Sequence, residues 1–124
     1  MAQRKVLVEI CLTSNDVILG VRGADHPLPA YMRYGVPVAL ATDDEGVSRS
    51  DMTHEYLRAV QTYGLTYADL KRMARQSLEH SFLPGTSLPS ACTSAACGNL
   101  LDSSPRARVQ WKLEQAFIEF EKKF

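Results

Sequence analysis

At 124 residues the chain has the length of one domain and is too short for two. Its 14 basic and 14 acidic side chains cancel, which leaves no electrostatic footprint for nucleic acid and no basic face for anionic lipid. No apolar run approaches the roughly 20 residues that span a bilayer, and the start through Lys5 leads into a run broken at Glu9 that does not read as a signal peptide.

A cytoplasmic location is the default expectation. The three cysteines, Cys11, Cys92 and Cys97, form no dense framework or zinc-finger spacing. Cys92 and Cys97 lie close enough to pair, but free thiols in a reducing compartment are the expectation.

In chain order, Val6 to Leu12 is short, apolar and β-branched, as a strand covered on both faces would be. Thr13-Ser14-Asn15-Asp16 reads as the polar turn that ends it. Asp25-His26-Pro27 opens a helix with Leu28, Tyr31 and Met32 on one face, stopped at Gly35. Val36 to Ala41 is a second buried strand, with Pro37 tolerated only near its beginning. Strand, helix and strand in that order predict a parallel pair joined by a crossover.

The rest reads as helical. Tyr56, Ala59, Val60 and Tyr63 recur at helical spacing before Gly64. Thr66 and Asp69 have the spacing of a capping box. Leu70, Met73, Ala74, Leu78 and Phe82 mark the buried stripe of the next helix, which Pro84-Gly85 stops. From there to Ser104 the composition turns to Ser, Ala, Pro, Gly and Thr, which predicts a flexible loop. Ser104-Pro105 opens a last helix with Val109, Leu113, Phe117, Phe120 and Phe124 along one side.

Asp43 and Asp44, directly after a buried strand, are the most informative residues. At the C-terminal mouth of a (β/α) barrel strand a carboxylate stands where ligands and metals bind. Two adjacent carboxylates repel, so a cation or a hydrogen-bond donor is expected beside them. The alternative is a solvated turn that caps the following helix.

Taken together, six segments resemble the adenosine and AMP deaminase family in order and spacing: Val8-Glu9-Ile10-Cys11-Leu12-Thr13-Ser14-Asn15, His26-Pro27-Leu28-Pro29, Gly35-Val36-Pro37-Val38, Thr42-Asp43-Asp44, Thr53-His54-Glu55-Tyr56 and Ser77-Leu78-Glu79-His80-Ser81-Phe82-Leu83. The tail through Gln110-Trp111-Lys112-Leu113-Glu114 looks most like the adenosine-deaminase-related growth-factor branch. The resemblance implies an α/β fold, the C-terminal portion of a metal-dependent hydrolase (β/α)8 TIM barrel, with the last two strands and their helices. It assigns residues 1–83 to that barrel, 84–104 to the flexible loop and 105–124 to a C-terminal helix on the same domain.

The resemblance further implies zinc as cofactor, Asp43 as a zinc ligand and Asp44 as a contact to the purine ring. The implied reaction is hydrolytic deamination of adenosine, AMP or a related aminopurine, with oxygen replacing the amino group. Bound zinc lowers the pKa of its water to about 7, which makes hydroxide available at neutral pH. The family's other ligands are histidines, two in a His-x-His pair, and its proton-donating glutamate and a further catalytic histidine also lie on earlier strands. This chain has only His26, His54 and His80, none in His-x-His, and a lone carboxylate does not complete a four-coordinate zinc site.

The expectation is therefore an incomplete fragment, inactive alone, with no confident catalytic residue. Its partners would be a purine nucleoside or nucleotide, and either a separate fragment carrying the earlier strands or a second copy of itself, because two barrel strands leave edges unpaired. The alternative is a non-catalytic remnant or interaction module of the same ancestry.

Other polar residues take plainer roles. His26 is expected to cap or orient the crossover helix, and His54 and His80 to sit on helices away from the strand ends. Ser14-Asn15 either lines the pocket or bonds the turn backbone. Leu12 and Glu45 stand where many relatives carry proline. Glu45 beside two aspartates suggests a magnesium cluster, but no glycine-rich phosphate loop accompanies it. Trp111 is expected to pack on the barrel exterior.

Overall fold

Aliphatic and β-branched residues crowd both apolar runs, yet only their middles pair as strands. In this computed structural model, which describes residues 1–90 and 92–124, β1 is Val8–Ile10 and β2 is Val38–Leu40. They are parallel, with Val8 opposite Val38, Glu9 opposite Ala39 and Ile10 opposite Leu40. Val8 N donates to Pro37 O at 2.9 Å and Ala41 N to Ile10 O at 2.9 Å, which extends the ladder at both ends. A parallel pair requires a crossover. Here it is α1 (Leu12–Leu19), a 3-10 turn over Gly23–Asp25 and α2 (Leu28–Arg33).

After β2 come α3 (Glu45–Ser48), α4 (Met52–Tyr63) and α5 (Tyr67–Glu79). Asp51 caps α4 by accepting from His54 N at 2.7 Å. Gly64, at φ 64° in the left-handed region, closes it as expected. The expected capping box opens α5: Asp69 N donates to Thr66 Oγ1 at 3.2 Å and Thr66 N to Asp69 Oδ2 at 3.0 Å. The Thr66 amide, and then the Thr66 hydroxyl, which donates to the same Oδ2 at 2.8 Å, hold the Asp69 carboxyl below its ordinary range.

The chain divides into two compact units, Met1–Ser77 and Leu78–Phe124. The core of the first gathers Ile10, Leu12, Leu28, Val38, Leu40, Ala59 and Met73, with Tyr31, Met32, Tyr56, Tyr63 and Leu65 packed around them. All three residues of β2 are buried.

In the second unit, α6 (Ser94–Ser103) and α7 (Pro105–Glu121) follow the end of α5. Arg106 ties the connecting turn to α7, its Nε donating to Leu83 O at 3.0 Å and its NH2 to Ser81 O at 3.0 Å. Gly85 has φ +102°, and a Cβ there would lie 3.0 Å from Ser104 Cα, so both conformation and space demand glycine. Arg108 donates to Leu101 O and Asp102 O, each at 3.0 Å, closing the C-terminal end of α6.

Four expectations are corrected. Thr13 to Asp16 is not a terminating turn but the body of α1, because the amide of Thr13 finds an acceptor on a distant helix, described below. The expected loop over 84–104 contains α6, whose first turn Thr93 caps by accepting from Ala96 N at 3.3 Å; Ala91 of that loop lies outside the described residues. Cys92 and Cys97 are joined as a disulfide and are not free thiols. The first turn of α6 brings their Cα atoms to 6.0 Å, within bonding range, and Cys11 alone stays free among the described cysteines. Finally, Phe82 lies beyond α5 and is fully exposed, and Phe120 and Phe124 are exposed too, so the buried part of the α7 stripe narrows to half-buried Leu113 and Phe117.

Burial sets the cost of truncation. Leu28 is wholly buried, whereas Ile18 is 62% exposed. Leu28→Ala is expected to lose about 2–5 kcal/mol, and Ile18→Ala to stay within about 0.5 kcal/mol. The check is the urea midpoint of each variant at unchanged slope.

Candidate functional site at the ends of the strands

Both strands lead directly into the candidate site. β2 ends at Leu40, and Asp43 follows with φ 57°, a left-handed conformation that aspartate adopts more readily than most residues but still at a cost. Such strain persists only where surrounding groups hold it. Here the buried Ser14 of α1 does so, its Oγ donating to Asp43 Oδ2 at 2.9 Å. One carboxylate oxygen is thereby fixed at the C-terminal end of the sheet, and the other keeps its capacity to accept. The donor expected beside the paired carboxylates is thus Ser14, reached across the strand pair.

Asp44 has a second duty. It is the N-cap of α3, accepting from Val47 N at 3.3 Å through Oδ1, while Ser48 Oγ donates to its carbonyl at 2.8 Å. That is the capping role an acidic turn offers, and it uses Oδ1. Glu45 is the first residue of α3 and sits where a carboxylate complements the helix dipole.

Cys11, between β1 and α1, lies at the same mouth. Burial first, then the carboxylates of Asp43, Glu9 and Glu55, push its thiol up from the ordinary value, so it stands there as a neutral thiol. His54 is exposed on α4, and His80 follows the end of α5. Trp111 is half-buried on α7.

His26 is buried and has the orienting role expected of it. Leu28 N donates to its Nδ1 at 3.1 Å, and a backbone amide can only donate, so Nδ1 is unprotonated. Nε2 then carries the proton and donates to Asn15 Oδ1 at 2.9 Å. One imidazole thus joins α2 to α1. Beside it, Arg58 donates to Thr13 Oγ1 at 3.3 Å and pairs with Asp16, which Arg22 also approaches at 3.6 Å. His26, Arg22, Arg58, Thr62 and Tyr63 line a cavity of about 230 Å³ that includes neither Asp43 nor Asp44.

Two residues of the site had partners that the sequence did not reveal. Ser14 was read with Asn15 as lining the pocket or bonding the turn backbone, and its bond to Asp43 was hidden because that partner is 29 positions away. Glu55 was visible only as part of a motif; it is a fully buried carboxylate bonded to Thr13 N and Ser50 Oγ.

A four-coordinate zinc needs three or four such ligands together. Among the described residues no group of three His, Cys, Asp or Glu could hold a metal. A carboxylate such as that of Asp43 can fill one such position, and the described residues do not by themselves fit the whole set. No helix among the described residues is long and apolar enough to cross a membrane.

The family model described as adenosine deaminase matches residues 1–88. An aminodeoxyfutalosine deaminase of Streptomyces coelicolor is 37% identical over 84 residues, covering 67% of this chain and 22% of that protein. An adenosine deaminase of Yersinia pseudotuberculosis is 36% identical over 84 residues, covering 67% of this chain and 25% of its own. One of Salmonella heidelberg is 38% identical, with the same shares. The chain thus spans about a quarter of the length of these relatives. The crystal structure of Arabidopsis ADAL complexed with IMP superposes with a TM-score of 0.68 at 23% identity, over 98% of this chain and 30% of that one. That likeness shows the fold: helices around parallel strands, as in an adenosine deaminase-like protein.

The His26 geometry carries a pH dependence. Burial, and then the charge of Arg58, lower its pKa from the ordinary 6.5. Protonation is therefore easier in the unfolded chain, so this contribution to stability is complete above about pH 6.5 and is lost as pH falls through the folded value. Histidine nitrogen spectra should show the Nε2–H tautomer and a midpoint below 6.5, and His26→Gln should flatten this part of the stability slope. A midpoint at or above 6.5 contradicts the assignment.

Proposed function

This chain belongs to the adenosine deaminase family, and from that premise we propose that it supplies the last two strands of a (β/α)8 barrel that hydrolytically deaminates an aminopurine nucleoside or nucleotide. The net reaction takes water, replaces the purine amino group by oxygen and releases ammonia. Adenosine is the substrate class favoured by the Yersinia and Salmonella relatives. An aminodeoxyfutalosine-type nucleoside is the alternative favoured by the Streptomyces one. The IMP in the Arabidopsis structure supports a purine nucleotide as a ligand.

The observation that carries the proposal is Asp43: a carboxylate at the end of a parallel strand, held in a left-handed conformation by a buried hydroxyl. Ligands in such folds bind at the C-terminal ends of the strands. In this reading Asp43 is one ligand of a zinc ion, and the remaining ligands come from elements outside these 124 residues. Asp44 uses Oδ1 to cap α3 and presents Oδ2 to the purine ring. Ser14 orients Asp43, and Cys11 adds apolar bulk at the mouth. The zinc, when bound, supplies activated water. By itself the chain retains no tight zinc and has no turnover.

The apolar residues that α1 exposes support the same reading. Val17, Ile18 and Leu19 are 62%, 62% and 67% exposed in succession, and a run of this kind marks a surface that another element covers. The earlier strands and helices of the barrel, on the same or a separate chain, are the proposed cover. A second copy of this chain is the substitute in their absence.

A graft tests this. The 84-residue matching segment of the Yersinia adenosine deaminase is replaced by that of this chain, and zinc content and ammonia release from adenosine and AMP are measured on the same samples. The folded chimera is expected to hold zinc and turn over, and the 124-residue chain alone to do neither. Asp43→Ala should lose zinc and turnover together. Asp44→Ala should keep zinc and lose roughly tenfold to a hundredfold in turnover. Zinc retained in Asp43→Ala overturns the ligand assignment. A folded chimera with neither zinc nor activity favours the non-catalytic alternative.

A further inference from the structure

Glu55 has no part in the proposed chemistry, yet it is a fully buried carboxylate, and such groups persist only when well paired. Its partners lie on two elements. Ser50 Oγ donates to Oε1 at 2.7 Å, and Thr13 N donates to Oε1 and Oε2, each at 3.3 Å. Thr13 is the second residue of α1, where the amide has no partner within the helix. The usual local cap is missing, since Cys11 at the N-cap makes no side-chain bond. Glu55 of α4 supplies the acceptor from 42 residues away, with both carboxyl oxygens at the N-terminal end of the helix.

One turn further along α4, Arg58 donates to Thr13 Oγ1 at 3.3 Å and pairs with Asp16. α4 therefore grips α1 at its first turn by a carboxylate and at its second by a guanidinium, which fixes both height and rotation. Ser14, the next residue, is the one whose Oγ donates to Asp43 Oδ2 at 2.9 Å.

We infer that Glu55 is a positioning residue for Asp43, setting through the first turn of α1 the place from which Ser14 holds that carboxylate. Its functional weight rests on the role proposed for Asp43. The relay itself concerns where Asp43 sits in this chain and is measured without metal or substrate. A merely local cap would tether α1 with no consequence at Asp43.

The experiment is nuclear magnetic resonance on the labelled 124-residue chain, with Glu55→Ala, Glu55→Gln, Ser14→Ala and the Glu55→Gln/Ser14→Ala double variant. In Glu55→Ala the Thr13 amide should lose roughly tenfold to a hundredfold of its exchange protection, and the Ser14 and Asp43 resonances should shift with it. Glu55→Gln keeps the shape and an acceptor oxygen, so it should show the same pair of changes at smaller size. It carries the test if Glu55→Ala does not fold. Ser14→Ala should shift Asp43 and leave Thr13 protected.

In the Ser14→Ala background, Glu55→Gln should no longer move Asp43, because the connection has been cut. Loss of Thr13 protection with Asp43 unmoved, or an Asp43 shift that persists in the double variant, overturns the inference. Failure of the deaminase reading would leave these shifts in place. Failure of the relay would leave the zinc loss of Asp43→Ala in place.

Discussion

A carboxylate with no exposed surface organises this fold. Glu55 is fully buried in the first turn of α4, and its hydrogen bonds from Thr13 N and Ser50 Oγ keep it there. Removing the carboxylate would orphan the buried Thr13 amide, at a cost of about 1–3 kcal/mol, and leave Ser50 Oγ with the Asp51 carbonyl at 3.4 Å. The same group substitutes for a local helix cap, so it decides that the chain after β1 coils at once instead of running on as strand or turn.

The consequence is felt at the strand ends. Parallel register places Ile10 beside Leu40, so both strands deliver their next residues to one mouth. α1 begins at that mouth and brings Ser14 to Asp43; the same hydrogen bond holds Asp43 in its left-handed turn and aims one oxygen. Asp44, next in sequence, is oriented by capping α3. The two neighbouring carboxylates are therefore separated in role by ordinary hydrogen bonding, one anchored to the helix before it in space and the other to the helix after it in sequence. His26 closes the crossover by linking α1 to α2 through its neutral ring.

What was legible in the sequence was whatever depended on neighbours along the chain. The paired apolar runs announced β1 and β2 and their parallel pairing. Thr66 and Asp69 announced the start of α5, and Ser104-Pro105 that of α7, where Ala107 N donates to Ser104 Oγ at 3.1 Å. His26 before Pro27 pointed to the helix it orients. What depended on distant partners was hidden. Thr13-Ser14-Asn15-Asp16 has turn composition, and nothing nearby shows that Glu55 would cap it into a helix. α6 was hidden by a Ser- and Ala-rich composition, and Cys92 and Cys97, close enough in sequence to pair, were expected as free thiols. Phe82 was assigned to a buried stripe because helical spacing continues past the point where α5 ends at Glu79.

The proposed function stands on Asp43 as a metal ligand at the mouth of a deaminase barrel. Its most direct test is zinc anomalous diffraction from a crystal of a barrel that carries this chain's strands and their following turns. The expected result is a zinc peak about 2.0–2.2 Å from an Asp43 carboxylate oxygen, with histidine nitrogens completing a four-coordinate site. A zinc site completed without Asp43, or ligated by Asp44 in its place, contradicts it.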